Sequence, residues 1–105
     1  MSKLTPIDDG QIGDLLAATG LCVVLLTSTW DGRGVILRSI LGSLAGEYRS
    51  VNFFEADYEL SPRLARMFNL LSPPGVLFVR EGELLQRLTG PVSAARIADV
   101  IRTIT

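Results

Sequence analysis

Leu21-Cys22-Val23-Val24-Leu25-Leu26, followed after Thr27 by Ser28-Thr29-Trp30-Asp31-Gly32-Arg33-Gly34, decides the fold of this chain. The first six residues are apolar with no alternation. A strand with one face in water alternates apolar and polar, so an unbroken run reads as a strand buried on both faces, as in a sheet covered by helices. The next seven residues are small or polar apart from Trp30 and form a junction. Beyond it, Ile36, Leu37, Ile40, Leu41, Leu44 and Tyr48 recur at spacings of three and four. That spacing predicts a helix from about Arg33 to Tyr48 with a broad buried face. Gly42 and Gly46 weaken this helix by about 1 kcal/mol each relative to alanine.

Toward the amino terminus, Asp8 and Asp9 can cap a short helix running to about Ala18, with Ile12, Leu15 and Leu16 as its apolar stripe. Thr19-Gly20 ends it. Toward the carboxyl terminus, Val51 to Ala56 reads as a second strand. Ser61-Pro62 starts a short helix, with serine as N-cap and proline at the first helical position, presenting Leu64, Met67 and Phe68. Val76 to Val79 is a strand, Glu81-Gly82 a tight turn, and Leu84 to Leu88 its antiparallel partner. Gly90-Pro91 breaks the chain. Ser93 caps a last helix whose apolar face is Ile97, Val100, Ile101 and Ile104. Strands alternating with helices and closing in a hairpin imply an α/β domain, with a mixed sheet covered by helices on both faces.

Composition agrees and excludes several functions. The 105 residues suit one domain, 1–105. With 48% apolar and 20% charged residues, a core can form without disulfide or metal support. The net charge of −1 comes from interspersed charges, with no basic stripe for nucleic acid and no basic amphipathic helix for a membrane surface. Leu21 to Leu26 is too short to span a membrane. No apolar signal region follows Met1-Ser2-Lys3, which argues against a cleaved secretory peptide and for a cytoplasmic protein. The chain has no histidine and one cysteine, so no imidazole or thiolate metal site, no intramolecular disulfide and no cofactor are expected. Cys22, inside the apolar run, reads as a small inert hydrophobe.

The motifs resemble the thioredoxin-like superfamily. Trp30-Asp31-Gly32-Arg33-Gly34 stands where the family carries Trp-Cys-Gly-Pro-Cys. Ile40 to Tyr48 is similar to the family's second-helix segment, and Glu55-Ala56-Asp57 to its Asn/Asp-x-Asp. Ser72-Pro73-Pro74-Gly75-Val76-Leu77-Phe78 resembles its Gly-Ile-Pro-Thr-Leu-x-x-Phe, which puts the family's cis-proline at Pro74. Arg80-Glu81-Gly82-Glu83 resembles its hairpin turn, and Gly90 its glycine before the last helix. The register is gapless from Trp30 to about Asn52 and from Ser72 to Ser93, with a small insertion between Asp57 and Phe68. The resemblance implies a thioredoxin-like fold with four to five strands. The family's first edge strand has no clear counterpart in residues 2–7.

The departures concern chemistry. Asp31 and Gly34 occupy the positions of the family's two thiols, and Leu25 that of its buried acid. Arg33 replaces the proline between the thiols, and Ser39 the kink proline of the second helix. Thiol–disulfide exchange needs an attacking thiolate, and this site has none. Asp31 reads as an N-cap for the helix, the alternative being a fixed charge for a partner. Arg33 reads as a solvated side chain loosely paired with Asp31, the alternative being a ligand for an anion. Trp30 is either a recognition anchor or a packing residue. Pro73 has no N–H to offer an extended peptide, leaving only its carbonyl. In the family's alignment position 34 is helical, so cysteine there is expected without backbone strain.

These readings imply a redox-inactive thioredoxin-fold protein, not an enzyme, that binds or helps assemble a protein or peptide partner, in a chaperone-like or adaptor role. Its surface would be the old active-site face: Trp30, Asp31, Gly32, Arg33, Pro73, Pro74 and Gly75. Cysteine-free superfamily members resemble it in this respect, and some act in maturation of other proteins, including hydrogenase assembly. The alternatives are a small-molecule enzyme holding an anion at the helix N-terminus, and a homo-oligomeric structural subunit.

Overall fold

The structure, a computed structural model, describes residues 4–29 and 31–105. Five strands form one sheet: β1 (Thr5–Pro6), β2 (Leu21–Thr27), β3 (Asn52–Asp57), β4 (Gly75–Arg80) and β5 (Glu83–Thr89), in the order β1-β3-β2-β4-β5. β1, β3 and β2 run parallel, while β4 and β5 are antiparallel additions. Thr5–Pro6 therefore supplies the edge strand that residues 2–7 did not announce. Four helices cover the sheet: α1 (Ile12–Ala17), α2 (Gly32–Glu47), α3 (Pro62–Met67) and α4 (Ala94–Ile104).

β2 lies at the centre and every one of its residues is buried. Its alternate side chains enter two separate cores. Leu21, Val23 and Leu25 pack with Leu37, Leu41 and Leu44 of α2 and Ile97, Val100 and Ile101 of α4. Cys22, Val24 and Leu26 pack with Ile12 and Leu15 of α1, Leu64 of α3, and Phe68. β4 divides in the same way, with Val76 and Phe78 on the first side and Leu77 and Val79 on the second. Both faces of β2 are thus dry, which explains its unbroken apolar sequence; each such side chain contributes roughly 1.5–3 kcal/mol when fully buried.

The helix caps differ in part from expectation. Asp8 forms a capping box with Gln11 over a short 3-10 turn, Asp9–Gln11, that leads into α1. Ser93 caps α4 by accepting from the Arg96 N–H. Ser61 stands at the N-cap of α3, but its hydroxyl makes no cap bond. The Asp9 carboxylate takes that role, accepting from the N–H groups of Arg63 and Leu64 at 3.0 Å each. A carboxylate competes well for helix-terminal donors because it also meets the positive end of the helix. Three apolar positions assigned to buried stripes also face solvent: Ile36 and Met67 are exposed, and Leu16 marginally so. Among the described residues no helix is long and apolar enough to cross a membrane.

Candidate functional site

The residues singled out from the sequence meet at one end of the sheet. Leu26 pairs with Gly75, so the junction leaving β2 and the loop entering β4 lie side by side. The parallel strands β1 and β3 also end there, at Pro6 and Asp57. Crevices at the carboxyl ends of parallel strands are where α/β folds bind ligands. Trp30 lies outside the described residues.

Asp31 is the N-cap of α2, in extended backbone conformation. Its Oδ1 accepts from the Arg33 N–H at 2.9 Å and from Arg33 Nε at 3.0 Å. Its Oδ2 accepts from Nη2 at 2.7 Å and from Nε at 3.1 Å. The Asp31 carbonyl accepts from the Gly34 N–H, and its own N–H donates to the Ser28 carbonyl. The side chain of residue 31 thus caps the helix, and Arg33 forms a two-oxygen fork with it rather than a loose pair. An external anion would have to displace this internal carboxylate from both the helix terminus and the guanidinium. That weighs against an enzyme built on anion capture here.

Hydrogen bonds from the Arg33 guanidinium, then from its N–H, hold the Asp31 carboxyl below the ordinary carboxylate range. A carboxyl whose folded pKa is depressed stabilises the fold fully above its unfolded value, about 3.9, and loses that stabilisation as pH falls through the folded value. The cap is therefore expected to stay intact at pH 5 and to fail only in stronger acid. Carboxyl-carbon NMR titration checks this, and an Asp31 midpoint at or above 3.9 would contradict it.

Gly34 is buried under β2, and a Cβ built there would lie 2.8 Å from both Cβ and Cγ2 of Thr27. Cysteine at this position is therefore strained, contrary to the expectation from its helical backbone. The obstruction comes from the neighbouring strand rather than from the helix. Position 34 holds glycine because α2 starts in close contact with a β-branched side chain.

The Pro73–Pro74 peptide bond is cis. Two contacts hold this loop: the Tyr58 hydroxyl donates to the Leu71 carbonyl at 2.8 Å, and the Gly90 N–H donates to the Pro74 carbonyl at 3.0 Å. Pro74 and Gly75 are buried, so they support the loop and do not form its surface. A Cβ on Gly75 would collide with the Leu70 side chain. The part of the loop that faces outward is Leu71, Ser72 and the half-buried Pro73, joined on the α2 side by exposed Gly32 and Arg33. Leu71, 83% exposed, and Val35, 64% exposed, are apolar surface residues that the motifs do not mark. Leu71 directly precedes the proline motif and could have been noticed. Val35 carried no such signal.

Cys22 is buried in β2, and burial pushes its thiol pKa up, partly opposed by a hydrogen bond from Asn52. It lies in the strand, away from the α2 terminus. Among the described residues no group of three or more carboxylates or thiols is placed to hold a metal ion.

No protein-family model matches the chain. Among curated proteins it is similar to a thioredoxin of Chlamydia muridarum, 32% identical over 73 residues that span 70% of this chain and 72% of that protein. A thioredoxin of Staphylococcus saprophyticus is 25% identical over 99 residues, covering 93% and 94% of the two chains. Among solved structures, oxidised mitochondrial thioredoxin 3 of Saccharomyces cerevisiae superposes with a TM-score of 0.85 at 20% identity, covering 95% and 94%. A mutant thioredoxin of Halobacterium salinarum gives 0.86 at 16% identity, covering 98% and 93%. At these identities the two structures establish the shared fold.

Proposed function

Because this chain belongs to the thioredoxin family yet carries Asp31 and Gly34 where the family's thiols stand, we propose that it is a non-catalytic binding protein. In this reading it works in the cytoplasm and holds or helps assemble a polypeptide partner at the old active-site end of the sheet. One observation carries the reading. The carboxylate at position 31 is committed to capping α2 and to Arg33, and the chain's single thiol is buried in β2. An attacking thiolate, which disulfide exchange requires, has no source at this site. What is left is a scaffold with exposed or half-buried Gly32, Arg33, Leu71, Ser72 and Pro73 at this end, a mix of polar and apolar groups as in recognition surfaces.

Two measurements test it together. In an insulin-reduction assay with dithiothreitol, the protein is expected to leave the rate unchanged; a clear acceleration would end the non-catalytic reading. A photo-crosslinking residue at Ser72 or Val35 should capture the same partner in the native host. The same residue at Thr103, near the end of α4 that Arg80 ties to the opposite end of β4, should not. Equal capture from both ends would move the binding surface elsewhere.

A further inference from the structure

We infer that a cavity at the carboxyl ends of β1, β3 and β2 receives a basic side chain, arginine or lysine, carried by the polypeptide partner. This rests on the partner-binding reading and specifies the partner's chemistry. The cavity measures about 400 Å³ and shares Asp31, Gly34 and Val35 with the α2 terminus. It lies on the β1 and β3 side of that helix, away from the proline loop.

Three features define the occupant. The first is charge. Asp8, Asp31, Glu55 and Asp57 line the cavity, against one lining cation among the described residues, Arg38. Arg33 matches Asp31, and Arg38 matches Glu55 at 2.9 Å. Asp8 and Asp57 have no ion pair among the described residues, although both accept hydrogen bonds. Asp57 accepts from Thr29 Oγ1 and from the N–H groups of Glu59 and Leu60, and Asp8 from the Gly10 N–H. Those donors are neutral. They fix the carboxylates in place without cancelling their charge, which leaves a local excess of negative potential in a chain whose net charge is only −1.

The second feature is an apolar wall. Ile7, Val35, Ala56 and Leu60 line the same space, and Val35 and Leu60 are largely exposed. A bare metal ion or small inorganic cation gains nothing from such a wall. The methylene stem of arginine or lysine does, because it lies along apolar surface while its head reaches the charges. The third feature is Ser61. It is fully buried, lines the cavity, and its Oγ has no hydrogen-bond partner among the described residues. Asp9 has taken the helix donors that a serine N-cap would normally bind, so this hydroxyl is left over. A buried hydroxyl without a partner is destabilising, because it has given up water and gained no bond in return. An N–H from an ammonium or guanidinium head would satisfy it.

The test uses the intact, ¹⁵N-labelled protein and small probes, so it reads the cavity whether or not the partner is known. N-acetyl-arginine methylamide and its lysine counterpart are titrated beside N-acetyl-citrulline methylamide, a neutral analogue of the arginine probe. A basic probe is expected to give saturable shifts at the amides of Ile7, Asp57, Leu60 and Ser61, at least fivefold tighter than citrulline. Removing the internal cation with Arg38→Gln should tighten the basic probe at least twofold, a gain that a damaged fold would not produce. Glu55→Gln should weaken it. Equal binding of charged and neutral probes, shifts confined to the Ser72–Pro73 loop, or no saturable shift would each overturn the inference. Those results would leave partner capture at Ser72 untouched, so the two readings fail separately.

Discussion

Phe78→Ala is expected to remove about 3–5 kcal/mol of folding stability, the usual cost of deleting a large, fully enclosed aromatic side chain. Phe78 has no solvent exposure, pairs with Val23 across the centre of the sheet, and belongs to the core that seats α2 and α4. A domain of this size is held by roughly 5–15 kcal/mol in total, so the variant would keep only part of its margin. Chemical denaturation followed by tryptophan fluorescence and by circular dichroism should show one coincident transition at lower denaturant. A midpoint unchanged from the parent would mean that α2 and α4 do not pack on this face.

Gly34→Cys is expected to cost about 1–3 kcal/mol through overpacking against Thr27. Cysteine is only slightly better than glycine inside a helix, so propensity offers little in return. Alanine should be milder, because it recovers roughly 1 kcal/mol of helix preference while meeting the same obstruction. Adding Thr27→Gly removes both contacting carbons, so the paired changes should cost less than the sum of the single ones. The Asp31→Cys, Gly34→Cys variant inherits the strain. Its disulfide content in air, read by free-thiol counting, should rise when Thr27→Gly is added. If Gly34→Cys matched the parent in stability, the close approach of α2 to β2 would be wrong.

The features legible in the sequence were those set by neighbours along the chain. Leu21 to Leu26 announced a strand dry on both faces because every position repeats the same demand. Asp31 announced a cap because its donors lie two residues on. Ser93 did the same for α4. The misses are contacts between distant segments. Nothing near Asp9 says that it will cap a helix 54 residues later. Thr27 and Gly34 meet because a helix settles on a strand, and helical periodicity carries no record of that distance. Ile36 fits the apolar spacing of α2 yet is 63% exposed, because the spacing marks a broad face without saying how far the neighbouring elements cover it. The proline motif places Pro74 and Gly75 on the binding face, whereas both are buried and Leu70 packs over the glycine.

The Asp9 bridge also governs how α3 comes apart. A helix of six residues has almost no stability of its own in water, since nucleation uses up what so few hydrogen bonds return. The first-turn amides of α3 are instead tied to a carboxylate at the far end of the sequence. Their exchange with solvent deuterium is then expected to follow release of the amino-terminal segment rather than fraying of the helix. The short helices α1 and α3 are therefore expected to open together with the edge strand, and hydrogen exchange would show it as matched protection of the Arg63 and Leu64 amides and the amino-terminal segment.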